Sequence, residues 1–268
     1  MFLMMEVGQF LPIPWILMGT TETYSLKMQT CQTGNSDHST SCCQVNNCLN
    51  CTLRKIHNQI LTPQQSDYLD ANRIEVSFKK GENICKQGTR ASSIICIKEG
   101  LAKMYVEDGS DYSTLLLKKQ CDMIGLQSLF TNGILQYSAE ALSDIQACFV
   151  DIQTIENLFS ENVDCAKEMM QYVNKDMITM FDKVYSFSTK HIHGRLAELL
   201  LYLHKNIYGT NPFKLTLSKT DLSEILGTSK ESVSRMFKEL KQDKILKESH
   251  HTIEILDFAR LKMISHTG

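Results

Sequence analysis

The sequence predicts an α+β protein in which a small β-roll is followed by one long helix and a C-terminal winged helix-turn-helix. Short β-type runs with glycine turns occupy residues 74–155. Apolar residues then recur at intervals of four and three, and two short helices meet at Gly227. The predicted divisions are an irregular segment (1–47), the β-roll domain (48–160), a dimerisation helix (161–189) and the winged helix-turn-helix domain (190–268).

The β-roll is predicted from five short runs of strand-forming residues. Turn signals such as KKGEN (79–83) and EDGSD (107–111) separate them. Short strands at regular spacing with glycine turns are typical of a small all-β roll or barrel. The five runs are IEVSF (74–78), SIICI (93–97), LAKMYV (101–106), STLLLKK (113–119) and QACFVDI (146–152).

The long helix carries a heptad pattern about three repeats long. This is the spacing with which two helices pack together, although a helix packed on its own domain could show it too. A dimeric reader of two DNA half-sites would need such a pairing, which favours the homodimer. The predicted seam consists of Ala166, Met170, Val173, Met177, Met180, Val184 and Phe187.

The segment from Leu217 to Leu240 predicts two helices joined by a turn. Ser218 and Asp221 form a helix-start signal, since the hydroxyl can accept a hydrogen bond from a free backbone N–H. Gly227 can end the first helix in a left-handed conformation, and Thr228 or Ser229 caps the second. Val233, Met236, Phe237 and Leu240 give the second helix one apolar face.

The opposite face of the second helix carries side chains suited to reading DNA. In a helix-turn-helix the second helix enters the major groove. Arginine can donate to both guanine acceptors, and glutamate can accept from the cytosine amino group. An ordinary helical hairpin with a solvated charged face is the alternative. The predicted DNA-binding residues are Ser229, Lys230, Glu231, Ser232, Ser234 and Arg235.

Two further features complete this C-terminal domain. The runs ILKES (245–249) and TIEIL (252–256) predict a two-stranded wing that turns at His250 and His251. Residues 191–268 hold 12 Lys/Arg against 9 Asp/Glu, a net charge of +3, whereas the first 190 residues hold 16 against 21, a net of −5. A mildly basic end on an acidic body fits a DNA-binding domain attached to a sensor domain.

The N-terminal segment is rich in cysteine. Five of the ten cysteines lie between residues 31 and 51. Cys48 and Cys51, with two residues between them, allow two thiolates to reach one metal or cluster, and Cys42 or Cys43 could add a third. The other five cysteines lie in apolar contexts and are expected to be reduced and buried.

The first residues predict neither a secretory signal nor a membrane span. Residues 1–18 are apolar but are interrupted by Glu6, Pro12 and Pro14, which makes a membrane span unfavourable. They also lack the basic residues with which a secretory signal begins. We therefore expect a cytoplasmic protein with no membrane partner. Met28 could begin a shorter native chain just before the cysteine group, so residues 1–27 are expected either to be disordered or to be absent from the native protein.

In the order roll, long helix and winged helix-turn-helix, residues 48–260 resemble the Crp/Fnr family of bacterial transcription regulators. The stretches that carry the resemblance are FKKGENICKQG and SSIICIKEGLAKMY (78–105) in the roll, RLAELLLYL (195–203) before the reader, and EILGTSKESVSRMFKEL (224–240) in the reader.

The resemblance implies a homodimer that binds double-stranded DNA and contacts RNA polymerase. It places Lys230, Glu231, Ser234 and Arg235 at the family's base-contacting positions. The pattern Glu-x-x-Ser-Arg is closer to the Fnr-type reader, whose half-sites are TTGA-like, than to the Crp type. The expected site is therefore a palindrome of two such half-sites one helical turn apart.

The resemblance also indicates that cyclic AMP is not expected in the roll. Crp-type phosphate binding needs a Gly-Glu-Leu turn and an Arg–Ser pair. Here the turn reads IGLQSLF (124–130) with Leu126 in place of Glu, and Tyr137–Ser138 stand in place of Arg–Ser. An anionic phosphate would be poorly compensated without that cation.

The Fnr subfamily holds a [4Fe–4S] cluster with an N-terminal cysteine group and one distant cysteine. By alignment the distant ligand falls on Cys148, and the remaining N-terminal ligand falls on His57 instead of a cysteine. Three alternatives stay open. They are an oxygen- or nitric-oxide-labile cluster completed by Cys42, Cys43 or His57, a zinc or thiol redox site on the same residues, and no cofactor, with another small effector as the signal.

Two other classes of protein fit the sequence less well. A metal oxygenase built on the β-roll would need histidine and carboxylate ligands in its strands, but residues 58–190 contain no histidine. The chain also lacks a P-loop, a nucleophile elbow and a dinucleotide fingerprint, so it is not expected to be an enzyme. A cyclic-nucleotide module of a larger assembly would not need a complete reader domain.

Overall fold

The computed structural model describes residues 60–109 and 111–267. The described part begins with α1 (Pro63–Ala71). A capping box starts this helix, because the Thr62 side chain accepts from the Gln65 backbone N–H and the Gln65 side chain accepts from that of Thr62.

The β-roll consists of two antiparallel four-stranded sheets, ordered β1-β8-β3-β6 and β2-β7-β4-β5. Each of the five predicted runs overlaps a strand. Three strands that the sequence did not predict are only two to four residues long, too short for a periodic pattern to show. The strands are β1 (Arg73–Phe78), β2 (Asn83–Cys85), β3 (Ser93–Glu99), β4 (Ala102–Asp108), β5 (Asp111–Lys118), β6 (Met123–Ile124), β7 (Ser138–Ala141) and β8 (Ile145–Asp151).

The turn between β3 and β4 brings two loops into close approach at Gly100. Its φ is +99°, and a Cβ there would lie 2.4 Å from the Asp144 carbonyl oxygen. Any larger residue would therefore force these loops apart. Apolar side chains from both sheets fill the interior of the roll, among them Ile95, Ile97, Met104, Leu116 and Tyr137.

Three helices follow the roll: α2 (Ile152–Glu161), α3 (Val163–Thr189) and α4 (Ile192–Tyr202). The long helix α3 has 27 residues and begins at Val163 because Asn162 caps it by accepting from the Cys165 backbone N–H. Helix α4 continues as a π-helical turn (Leu203–Tyr208) that ends at Gly209.

The C-terminal domain is the predicted winged helix-turn-helix. Its sheet has the strand order β10-β11-β9, and the wing turns at His250 and His251, whose φ angles of 45° and 66° are left-handed. Strand β9 and the last helix were not predicted. The elements are β9 (Phe213–Lys214), α5 (Lys219–Leu226), α6 (Lys230–Gln242), β10 (Leu246–Ser249), β11 (Thr252–Ile255) and α7 (Phe258–Thr267).

The core of this domain is continuous with the surface of the roll. Leu101, Leu117 and Leu142 from the roll belong to the same apolar cluster as Leu222 and Phe237 of the reader helices. Within the described residues, none of the helices combines the length and the hydropathy that crossing a membrane requires.

Candidate nucleic-acid interface

The turn between α5 and α6 is fixed by its own hydrogen bonds. Gly227 ends α5 with φ 62° and ψ 50°, and the Thr228 N–H reaches back to the Ser223 carbonyl over 3.0 Å. A Cβ at Gly227 would lie 3.1 Å from the Phe187 ring at the end of α3. Glycine therefore suits this position for two reasons: it adopts the left-handed backbone conformation without strain, and it leaves room for the Phe187 ring of the long helix.

Helix α6 presents two chemically different faces. Of the two predicted caps, Ser229 is the one used, because its Oγ accepts from the Ser232 N–H at 3.2 Å. Its apolar face is buried in the domain core, which fixes the rotation of the helix. The buried side chains are Val233, Met236, Phe237 and Leu240.

The opposite face of α6 is exposed. The Ser234 hydroxyl donates to the Lys230 carbonyl at 2.9 Å, so its oxygen keeps acceptor capacity toward solvent. The Arg235 side chain is 68% exposed, with its Nε 4.0 Å from Glu239 Oε1. Of the six predicted DNA-binding residues, Ser229, Lys230, Glu231, Ser234 and Arg235 are exposed, whereas Ser232 is half-buried beside the cap.

Lys238 extends the exposed face, and the sequence prediction missed it. It lies four residues after Ser234 and three after Arg235, so helical spacing alone could have identified it. A lysine here can serve as a phosphate contact, because phosphate binding needs only a positive charge within reach of the backbone. Nearby, Glu239 accepts a contact from His193 Nε2 at 2.9 Å.

Ion pairs attach the wing to both reader helices. Glu248 on β10 lies 2.8 Å from Lys219 Nζ and 2.9 Å from Lys241 Nζ. Burial would raise the pKa of Glu248, but the hydrogen bonds from the two lysines outweigh it and lower the pKa. The wing therefore keeps a fixed position beside α6.

Another ion pair joins the reader to the roll. Lys103 on β4 is 5% exposed, and its Nζ lies 2.7 Å from Glu224 on α5 and 3.4 Å from Glu140 on β7. Burial lowers the pKa of Lys103, but the hydrogen bond to Glu224 and the charge of Glu140 outweigh it, so the pKa is raised. The buried charge is thus compensated by carboxylates from two elements.

The exposed side of α3 carries an apolar ridge. Of the predicted seam, Met170, Met177 and Val184 belong to it, and Phe187 is 38% exposed beside the reader turn. Ala166, Val173 and Met180 are half-buried, and Val173 and Met180 pack against cores of their own chain. The α3 ridge consists of Met170, Met177, Ile178, Phe181, Val184 and Tyr185, of which the sequence prediction did not include Ile178, Phe181 and Tyr185.

Of the predicted cofactor ligands, the described residues include only Cys148. It lies on β8, is 3% exposed, faces Cys96 across the strands, and accepts from Arg73 Nη1 at 3.4 Å. The remaining candidates, Cys42, Cys43, Cys48, Cys51 and His57, lie outside the described residues.

The described part of the chain enters the fold beside that cysteine. Ile60 and Leu61 pack against the apolar cluster that contains Cys148 and Cys165, and burial raises the pKa of Cys165 to about 11. Among residues 60–109 and 111–267, no three His, Cys, Asp or Glu side chains lie close enough together to hold a metal ion.

Inside the roll, the Tyr137 hydroxyl occupies the backbone donor of the Gly125 turn. The Gly125 N–H donates to the Tyr137 hydroxyl at 2.8 Å, and that hydroxyl donates to Gln127 Oε1 at 2.9 Å. Ser138 is also engaged, since its Oγ donates to Glu107 at 2.6 Å. The phenol is 5% exposed and packs in the roll core.

Comparisons with known proteins agree with this architecture. Residues 75–162 match the cyclic nucleotide-binding domain, and residues 194–264 match the Crp-like helix-turn-helix domain. The transcriptional activator protein FnrA of Stutzerimonas stutzeri is 23% identical over 67% of this chain and 75% of its own. The fumarate and nitrate reduction regulatory protein of Escherichia coli is 24% identical over 77% of this chain and 85% of its own.

The structure of FixK2 from Bradyrhizobium japonicum covers 73% of this chain and 98% of its own, with a TM-score of 0.68 and 21% identity. At that identity the likeness speaks for the fold alone.

Proposed function

Because the chain belongs to the Crp/Fnr family of DNA-binding transcription regulators, we propose that it acts as a homodimer on palindromes of TTGA-like half-sites. The observation that carries this proposal is the exposed face of α6, where Lys230, Glu231, Ser234 and Arg235 lie together. The opposite, apolar face of α6 is buried in the domain core, so the rotation of the helix about its axis is fixed and these side chains stay exposed.

The α3 ridge supports the homodimer. Phe181, Val184 and Tyr185 are each more than 60% exposed, which is unusual for large apolar side chains in one row of a helix. Burying this row against a second copy would remove it from water and pair the two reading helices with twofold symmetry. The activator names of the relatives support RNA polymerase as a further partner.

Replacing Arg235 with alanine should lower discrimination between the operator and a half-site mutant by about 1–3 kcal/mol, the scale of a bidentate guanine contact. Competition binding at fixed salt measures this quantity. Lys238→Ala is the matched control, because losing a phosphate contact weakens binding to all sequences alike and lowers the salt slope by about one. Unchanged discrimination in Arg235→Ala would remove this residue from base reading.

We propose that the roll does not bind cyclic AMP. A nucleotide phosphate would have to displace the Tyr137 hydroxyl from the Gly125 N–H and would meet no arginine there. The signal is instead proposed to act at the cysteine-rich end of the chain, since Cys148 lies in the core against which Ile60 and Leu61 pack. Eight residues lie between Cys51 and Ile60, and an extended chain of that length spans up to roughly 30 Å.

An iron–sulfur cluster is the proposed occupant, and a zinc or thiol redox site on the same cysteines is the alternative. When bound, such a cluster would act as the sensor, because oxygen or nitric oxide destroys it. The chain's own part would be to tie its N-terminal segment to β8 through Cys148, close to the base of α3, where Cys165 shares the same core.

Anaerobic purification of the full chain should yield protein that contains iron and acid-labile sulfide. Cys148→Ser should lose most of the iron, whereas Cys85→Ser, a half-buried thiol in the other sheet, should retain it. Iron-free protein that binds its operator equally well before and after air exposure would refute the cluster. Zinc analysis and thiol titration of the same samples then test the zinc or thiol redox alternative. Operator binding is measured separately, so failure of the cluster proposal would not be confused with failure of the DNA reader.

A further inference from the structure

A pocket of about 460 Å³ lies outside the roll, where β5, α3, α4 and α5 meet. Its volume falls within the range of small-molecule sites. The roll interior is filled by the core around Tyr137, so this pocket is separate from the region that corresponds to nucleotide binding. It is also far along the chain from the cysteine-rich segment.

One wall of the pocket is apolar and belongs to both domains. Leu117 from β5 and Leu199 from α4 are each 9% exposed, and Ile225 and Leu226 at the end of α5 are 7% and 2% exposed. The last two residues precede the Gly227 turn, so a ligand here would touch the helix that positions α6.

Four cations line the pocket, and two of them, Lys183 and Arg195, lie together at one end with no carboxylate partner in the described part of the chain. Lys183 on α3 donates to the Thr114 carbonyl oxygen, and its Nζ lies 5.3 Å from the centre of the Phe187 ring. The Arg195 guanidinium on α4 lies 4.4 Å from the same ring centre. Both side chains therefore present positive charge at one end of the pocket.

Buried polar atoms at this end also lack hydrogen-bond partners. The Thr114 side chain is 1% exposed, and its hydroxyl has no hydrogen-bond partner among the described residues. The same is true of Arg195 Nε. Native proteins satisfy nearly all such groups, so each unsatisfied one needs a reason.

The acidic residues of the pocket do not supply that reason. Asp176 is held by Lys118 at 2.6 Å, and Glu198 is held by Lys190 at 2.8 Å. Asp122 accepts from the Lys119 backbone N–H, and Asp182 is exposed at the rim. The two cations near Phe187 are thus contacted by a carbonyl and a ring but by no described carboxylate, and burial lowers the pKa of Lys183 to about 8.

We propose that this pocket binds a small organic anion whose carboxylate or phosphate group lies against Lys183 and Arg195. Its apolar part would pack against Leu199 and Leu226. The anion would accept hydrogen bonds from the Lys183 ammonium and the Arg195 guanidinium, both of which are half-buried rather than fully enclosed. Because the pocket joins the roll, the long helix and the reader, its occupant would bias how the reader sits on the other two.

Calorimetric titration of the full chain with four probes tests the site. Phenyl phosphate and benzoate combine charge with an apolar ring, inorganic phosphate has only the charge, and benzyl alcohol has only the ring. We expect one of the two ring-bearing anions to bind at least tenfold more tightly than inorganic phosphate or benzyl alcohol. Which of the two binds better distinguishes a phosphate site from a carboxylate site.

Variants then locate the binding. Arg195→Gln and Lys183→Met should each weaken binding of the preferred anion at least tenfold. Lys167→Met should leave it unchanged, because Lys167 is an exposed residue of α3 whose Nζ lies 3.0 Å from Asp164. Circular dichroism and operator binding check that each variant is folded, and either variant alone suffices if the other fails to fold. Equal binding in all variants, or anions that bind no better than benzyl alcohol, would overturn the proposal.

Discussion

Phe181→Asp should convert the chain from a dimer to a monomer and lower its operator affinity about 100- to 1,000-fold, the gain that a second linked half-site provides. Phe181 is 62% exposed at the centre of the α3 ridge, between Ile178 and Val184. In a dimer its ring would be buried against the partner helix, and a carboxylate there would be an unpaired buried charge. In the isolated chain the substitution places a charge in water and should leave the fold intact.

Sedimentation or light scattering at micromolar concentration measures the change, together with operator titration. Phe130→Asp is the matched control, because Phe130 is 49% exposed but lies in the 3₁₀ helix (Leu126–Phe130) of the roll. It should leave both the mass and the affinity unchanged. A Phe181→Asp protein that remained dimeric would show that the α3 ridge is not the dimer contact.

Lys118→Met should destabilise the chain by about 3–5 kcal/mol, the cost of removing one partner of a buried ion pair. Lys118 is 1% exposed, and its Nζ lies 2.6 Å from Asp176 and 3.1 Å from the Tyr172 hydroxyl. Burial raises the pKa of Asp176, with the charge of Lys118 acting in the opposite direction. Without the lysine, the carboxylate would stay buried beside Tyr172 with no cation.

Urea denaturation of the purified variants measures the free energy of unfolding. Adding Asp176→Leu to Lys118→Met should recover most of the loss, because a buried ion pair replaced by apolar residues is often neutral. Lys167→Met, which breaks an exposed pair on the same helix, should change stability by less than about 1 kcal/mol. If Lys118→Met and Lys167→Met lowered the free energy of unfolding by similar amounts, the buried ion pair would be no more important to stability than the exposed one.

The reader could be predicted from sequence because its signals are local. Ser218, Asp221, Gly227 and Ser229 each act within four residues along the chain, and the apolar spacing of α6 decides which face is exposed. The five long strand runs were found for the same reason. Their order in two sheets was not predicted, because strand pairing depends on contacts between residues far apart in the chain.

What the sequence could not supply depends on contacts between distant residues. Lys118 and Asp176 are 58 residues apart, and nothing in either neighbourhood marks them as a pair. The predicted seam included Val173 and Met180, which pack against the roll of their own chain. Heptad spacing identifies an apolar stripe on a helix but does not show which of its residues contact the same chain and which are free to contact a partner. The hydrogen bond from the Gly125 N–H to the Tyr137 hydroxyl likewise depends on the folded arrangement of the roll and has no signal in the sequence.

The buried pair between Lys103 and Glu224 predicts how the chain behaves as ionic strength changes. Its side chains are 6% and 16% exposed, so dissolved ions screen their attraction far less than they screen contacts with a nucleic-acid backbone. Concentrated salt should therefore detach the chain from an operator while α5 stays seated on the roll. Protein eluted from DNA by salt would keep the domain arrangement described above.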